Sequence, residues 1–405
     1  MWKNQREIKA VILLLAFLPL LSGCWDSREI EQRANVLAIG IDIANDEDRK
    51  QEDEISHLSK KFPIPDEEMI KVTAQIAVPG RIPLGPQQPG GSLKPVLVVE
   101  IVGHTLEDAM LNLQQEVADE VFLGHLRVMV LSEEVARKGT ARFNDFLRRN
   151  PEIRRTTALV VSKEPAAKYM KLNPELERIP SLYLADIVDN LSALGKFPPS
   201  FIGLFWTIYS SMGQDPYLPY LALKEKNIIQ LHGLAYFHND KMVGKTSTLE
   251  IGVFMAVRGI GRGGYGAFVE VPGKDESVLV RAVSRKTRTK VTLKSGRPHV
   301  SIKIQYESEI DEKESAKIQL SDSAILKKIE KESSKNTKKS IEKLIAKTQK
   351  SNSDIFGFGE HFRAKLPKYW NENVKTKEEW DEIYKNITFD IEVDSHIHRV
   401  GMKSK

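Results

Sequence analysis

The chain has 405 residues, a formal net charge of +5, 41% hydrophobic and 28% charged residues, and one cysteine. Near-neutrality over this length argues against a nucleic-acid binder, and one cysteine excludes an intramolecular disulfide framework. The apolar content suffices for ordinary globular cores, and the length suggests two or three domains.

Lys3, Arg6 and Lys9 lead into residues 10–21, all of them apolar. A bilayer crossing takes about 20 apolar residues, so this run is too short to span. It fits instead the apolar core of a secretory signal. Leu21-Ser22-Gly23-Cys24 closes the run, and the small Ser22 and Gly23 let a peptidase approach the backbone. These four residues resemble the bacterial lipobox. The resemblance implies cleavage between Gly23 and Cys24, with a diacylglyceryl group on the Cys24 sulfur and an acyl chain on its amine. Two acyl signals hold a protein at a bilayer where one chain binds only marginally. No later run approaches spanning length; residues 201–212 come nearest and are broken by Gly203, Thr207 and Ser210.

Residues 24–33 read as a polar tether. Residues 36–42 predict a strand, 45–66 a charged loop, 70–78 an alternating, half-buried strand, 79–95 a loop rich in proline and glycine, and 96–102 an apolar strand. Thr105 caps a helix predicted to reach about Ala118, with Leu106, Ala109, Met110, Leu113 and Val117 at helical spacing. A strand over 126–131, helices over 133–138 and 141–149, and a strand over 157–161 make the first domain mixed α/β. Helices over 179–194 and 201–212 flank the breaker Phe197-Pro198-Pro199. Residues 213–219 read as a turn, which puts the main boundary near residue 222. The expected organisation is a leader over 1–23, an N-terminal domain over 24–222 and a C-terminal domain over 223–405.

In the second domain, 228–237 and 241–245 predict a hairpin turning at His238-Asn239-Asp240. A longer hairpin pairs 278–293 with 298–307 across Lys294-Ser295-Gly296-Arg297. Residues 321–350 predict a helix capped by Ser321 or Ser323, with Ile325, Ile329, Ile341, Leu344 and Ile345 as a narrow apolar stripe. Its polar middle, 331–340, predicts exposure or interruption there. Short helices over 359–369 and 377–384 lead to a last strand beginning near Asn386. The second half therefore reads as α+β around an antiparallel sheet flanked by helices.

Several strings carry a family resemblance. Cys24-Trp25-Asp26-Ser27-Arg28-Glu29-Ile30-Glu31 with Ile39-Gly40-Ile41-Asp42 is similar to the mature start of the C-subunit lipoproteins of spore germinant receptors, the Ger(x)C family. Phe122-Leu123-Gly124-His125-Leu126-Arg127-Val128 and the stretch from Leu147 to Thr156 resemble that family's N-terminal domain. Gly233-Leu234-Ala235-Tyr236-Phe237, Asp240-Lys241-Met242-Val243-Gly244, Asp354-Ile355-Phe356-Gly357-Phe358-Gly359 and Pro367-Lys368-Tyr369-Trp370 resemble its C-terminal domain. The resemblance covers nearly the whole chain. It implies a protein without enzymatic activity or cofactor, on the outer face of the inner spore membrane, acting with A and B integral membrane subunits in nutrient sensing. Whether this subunit touches the nutrient is left open.

Motif chemistry points the same way. Gly259-Ile260-Gly261-Arg262-Gly263-Gly264 satisfies G-x-G-x-x-G but precedes a predicted strand rather than opening a helix, so a loop is the better reading than a dinucleotide site. His396 and His398 share a strand face without a third ligand at a telling spacing, and His125 reads as a lone strand histidine. Nucleophile-elbow, zincin and P-loop motifs are absent from the sequence, and the acid pairs Glu133-Glu134 and Glu378-Glu379 read as helix ends. Arg281, Arg285, Lys286, Arg288, Lys290 and Lys294, joined by Arg297 and Lys303, fall in a span without acidic residues from Ser277 to Tyr306. They make a candidate membrane-facing basic patch, to be weighed against a merely solvated sheet face. The competing functional readings are a lipid-anchored solute-binding protein, which requires a pocket with convergent polar groups, and an exported wall hydrolase, which requires clustered acids in a cleft.

Overall fold

The computed structural model describes residues 29–50, 68–81, 94–174, 177, 179–225, 227–260, 263–273, 275–315, 318, 320 and 322–399. Gly23, Cys24 and the expected leader lie outside the described residues.

After a single turn at Ile30–Gln32, the chain enters β1 (Arg33–Ile43), then α1 (Asp46–Arg49), β2 (Ile70–Ala77) and β3 (Val96–Gly103). The Thr105 side chain caps α2 (Leu106–Glu116), accepting the Asp108 N–H at 3.1 Å. The Asp108 carboxylate reaches past Thr105 to the His104 N–H at 2.7 Å. β4 (Glu120–Phe122) and β5 (Val128–Ser132) precede α3 (Glu133–Lys138) and α4 (Ala141–Arg149). β6 (Ala158–Ser162), α5 (Ala166–Met170), α6 (Pro180–Ala193), α7 (Ile202–Tyr209), β7 (Tyr217–Glu225), β8 (Ile228–His238) and β9 (Lys241–Lys245) complete the first layer system.

These strands form one sheet in the order β3-β2-β1-β5-β6-β7-β8-β9, with β4 beside β1. The centre, β1-β5-β6-β7, is parallel and the margins are antiparallel. Parallel strands need crossover helices on the sheet faces, so central strands are buried on both sides. Val-Met-Val-Leu-Ser of β5 and Ala-Leu-Val-Val-Ser of β6 are buried at every position. Strand alternation sorts them into two cores: Val128, Val130, Ala158 and Val160 face one way, Met129, Leu131, Leu159 and Val161 the other. β2 is likewise buried on both faces rather than half-buried as its alternation suggested. The expected boundary near residue 222 falls inside β7, and β8 and β9 continue the same sheet. The turn predicted over 213–219 yields to strand from Tyr217; Pro219 is accommodated because β6 meets β7 only at Tyr220 and Leu221.

Next comes α8 (Thr248–Val257), then β10 (Gly266–Glu270), β11 (Ser277–Lys294), β12 (Arg297–Lys313), α9 (Ser323–Lys350), α10 (Phe358–Lys365), α11 (Pro367–Asn373), α12 (Lys377–Tyr384) and β13 (Thr388–Arg399). The second sheet runs β10-β11-β12-β13. The β11–β12 hairpin turns at Ser295 (φ 49°) and Gly296 (φ 77°), the left-handed pair that a tight two-residue turn demands. β13 joins β12 in parallel, because four helices carry the chain back across the sheet before it enters. α9 is capped by Asp322, whose carboxylate accepts the Ala324 N–H, and runs unbroken through its polar middle. The core face containing Val130 and Val160 is continuous with Ile302, Ile304, Ile391, Ile341 and Leu344, so the second sheet and α9 close the far side of the first sheet.

Candidate interaction surface and a buried carboxylate junction

Alternation along β11 and β12 gives the second sheet an inner apolar face and an outer charged one. Lys286, Arg288, Lys290 and Lys294 are exposed on the outer face of β11. Beyond Arg281, β11 has lost β10 as a neighbour, so the cations line a sheet edge, where charge also discourages unwanted strand pairing. On the same face, β13 presents Asp390, Glu392 and Asp394 opposite Ser301, Lys303 and Gln305. Lys294 binds Asp390 at 2.6 Å and Lys303 binds Glu392 at 2.6 Å. Arg281 is held by Asp311 at 2.6 Å and Glu309 at 3.1 Å. Lys286, Arg288 and Lys290 are left as the cationic core of the patch, with no ion pair among the described residues.

Arg285 departs from the expected patch. A register shift between Ala282 and Ser284 inserts an extra residue into β11 and reverses the facing of the residues beyond it. Arg285 thus turns inward, is only 9% exposed, and donates to the Gly252 carbonyl at 3.1 Å.

His396 and His398 share the outer face of β13, ring centroids 4.7 Å apart; His396 meets Glu330 at 3.2 Å and His398 meets Glu307. His125 lies in a turn between β4 and β5 rather than in a strand. Gly259 ends α8 with φ 64°, and the stretch leads from helix into strand β10, the reverse of a dinucleotide-binding order. Glu133 pairs with Arg137, and Glu379 completes a capping box with Thr376 at the start of α12.

A second cluster has no counterpart in the sequence reading. Asp215, just before β7, and His238, at the end of β8, meet Asp354 from the connection between α9 and α10, and Lys377 and Asp381 from α12. The Asp215 carboxylate accepts the Asn239 N–H at 3.0 Å, the Asp354 N–H at 3.0 Å and the Lys377 ammonium at 3.0 Å. Asp354 accepts the N–H groups of Gly357 and Gly359 at 2.9 Å each, and the Trp380 indole N–H at 3.1 Å. His238 Nε2 stands 3.7 Å from Asp381, and its Nδ1 stands 4.0 Å from Asp215, an electrostatic contact too long for a hydrogen bond. The chain segments meet almost without side chains: a Cβ on Gly213 would come within 2.4 Å of the Gly359 backbone.

Environment splits the carboxylates. Burial works against ionised Asp215, but His238, Lys377 and the Asn239 N–H outweigh it and hold its pKa below the usual range. Burial pushes Asp354 up to about 7, opposed by the Gly359 and Phe358 N–H groups. Asp381 is also pushed up to about 7, first by burial and then by the charge of Asp215. Proximity to Asp215 raises His238 against the opposing effect of burial. Asp215, His238 and Asp381 are of metal-ligating type, with ligand atoms within 4.8 Å of one another. Lys377 already brings a cation to Asp215, so the arrangement acts chemically as a salt-bridged clasp between the end of the first sheet and α10–α12.

Comparison with known proteins gives this architecture a family. A model of the "Spore germination protein N-terminal domain" matches residues 26–223, and one of "Spore germination B3/GerAC like, C-terminal" matches residues 232–401. The chain belongs to the GerAC-like, Ger(x)C family of spore germination proteins. Spore germination protein KC of Bacillus subtilis (strain 168) is 27% identical, across 99% of this chain and 97% of that protein. Spore germination protein GerQC of Bacillus cereus is 26% identical, across 77% and 85%. The crystal structure of the GerBC protein shares the fold, with a TM-score of 0.55 at 19% identity over 91% of this chain and 99% of that one. Its likeness confirms the multidomain α+β architecture. In GerAC-like terms, the cationic edge and the carboxylate clasp both lie in the C-terminal region, the clasp reaching back to Asp215 in the N-terminal one.

Proposed function

We propose that the chain is the C-type subunit of a spore germinant receptor, moored through lipidated Cys24 to the outer face of the inner spore membrane and acting through contacts with A and B integral membrane subunits. The observation that carries this reading is the end-to-end match: two spore germination regions lie in succession over residues 26–223 and 232–401. Two further features support it. Among the described residues no helix is long and apolar enough to cross a membrane, so a peripheral subunit needs an anchor, which Cys24 after a short apolar run supplies. The outer sheet face also separates cations on β11 from carboxylates on β13, a charge arrangement suited to docking against a charged surface. Lys286, Arg288 and Lys290 form the side turned to anionic lipid or an acidic partner.

The test is isolation of the tagged chain from dormant-spore membranes. The reading requires integral membrane proteins to come down with it, and a deletion strain to lose one nutrient response while keeping others. Isolation of the chain alone, with an unchanged germination profile, contradicts it.

A further inference from the structure

The apolar stripe of α9 stops after Ile329 and resumes at Ile341. Between them the same helical face carries Ser333, Asn336, Thr337 and Ser340, at the i, i+3, i+4 and i+7 positions that would continue the stripe. These residues do not meet a core. They form one wall of a cavity of about 190 Å³ beneath α8, β10 and the bulged part of β11. The opposite wall is apolar, with Val253, Ala267 and Val280. Arg285, turned inward by the bulge, lines the cavity together with Tyr306 and Tyr265. Burial lowers the Arg285 pKa, while Tyr306 supports its charge. Burial pushes both Tyr306 and Tyr265 up to about 12, so their hydroxyls stay protonated donors.

A guanidinium offers a planar fork of donors that matches a carboxylate in two parallel hydrogen bonds. A mostly apolar pocket with a few converging polar groups is the usual form of a small-molecule site. We propose that this cavity binds a compact organic carboxylate, received by Arg285 and Tyr306, with its apolar body against Val253 and Val280 and its polar substituents toward the hydroxyls of α9. The small volume limits the ligand to roughly the size of a short-chain or amino acid. The apolar wall favours an organic acid over inorganic phosphate, whose remaining oxygens would face hydrocarbon. The assignment stands whether or not the receptor reading holds.

Calorimetric titration of the detergent-solubilised full chain tests it with acetate, isobutyrate, L-alanine, L-valine, uncharged isobutyramide and inorganic phosphate. Saturable heat with at least one carboxylate and none with isobutyramide is expected, weakened roughly tenfold or more by Arg285→Met. Ser333→Leu and Ser340→Leu extend the apolar stripe into the cavity without touching Arg285; each should abolish binding while the thermal midpoint holds or rises. Absence of saturable heat with every carboxylate, saturation by phosphate alone, equal binding of isobutyramide, or unchanged binding in the two Leu variants overturns the proposal.

Discussion

Asp215 and Asp381 illustrate how one desolvated site assigns different charges to identical side chains. Asp215 collects Lys377 and backbone donors and stays ionised; Asp381 faces that charge and leans toward protonation. At Asp381 the folded chain therefore holds more of a proton than the unfolded chain between about pH 4 and 7, because the folded pKa of about 7 lies above its ordinary value of 3.8. Its contribution is full below that ordinary value and is lost as pH rises through about 7. His238, also raised, contributes below its ordinary value of 6.5 and loses that contribution on further alkalinisation, the same sign. Asp381→Asn removes the carboxylate's share. Denaturant titrations at pH 5 and pH 8 should show the variant gaining on the parent by about 1–3 kcal/mol across that window; a constant difference would remove Asp381 from the account. Asp215→Ala strands Lys377 and should cost about 3–5 kcal/mol at neutral pH by the same measurement.

At the scale of elements, α9 separates packing from solvation along one helix. Ile341, wholly buried, should cost about 2–4 kcal/mol on truncation to Ala, whereas Lys338→Ala on the exposed side should change stability by less than about 0.5 kcal/mol, both read from unfolding midpoints. The edge cations of β11 allow a different reading. Lys286, Arg288 and Lys290 together should contribute about 3 kcal/mol to association with vesicles containing anionic lipid, so their triple Gln variant should partition roughly a hundredfold more weakly, with equal partition of parent and variant contradicting a membrane-facing role.

Elements with local signals were legible in the sequence. The helices over 133–138 and 141–149 and both hairpins of the C-terminal half lie where periodicity and turn chemistry put them. Features that depend on distant partners were not. A single extra residue near Val283 reverses Arg285, and counting alternation cannot see a bulge. The parallel entry of β13 depends on where α9–α12 pack. The clasp joins Asp215, Asp354 and Asp381, which no spacing connects; its one local trace is Asp354 before the paired glycines Gly357 and Gly359.

Across the whole molecule, one apolar core runs from the central strands of the first sheet to α9 and the inner face of the second, with the Asp215–Asp354 clasp at its margin. The two family regions are therefore not beads on a string but share an interior. The proposed mooring at a bilayer rests on one sulfur, that of Cys24. Mass spectrometry of the chain purified from dormant-spore membranes is the most direct measurement. The expected result is an amino-terminal peptide beginning at Cys24 and carrying diacylglyceryl mass. An unmodified chain that still begins at Met1 would contradict the lipid mooring.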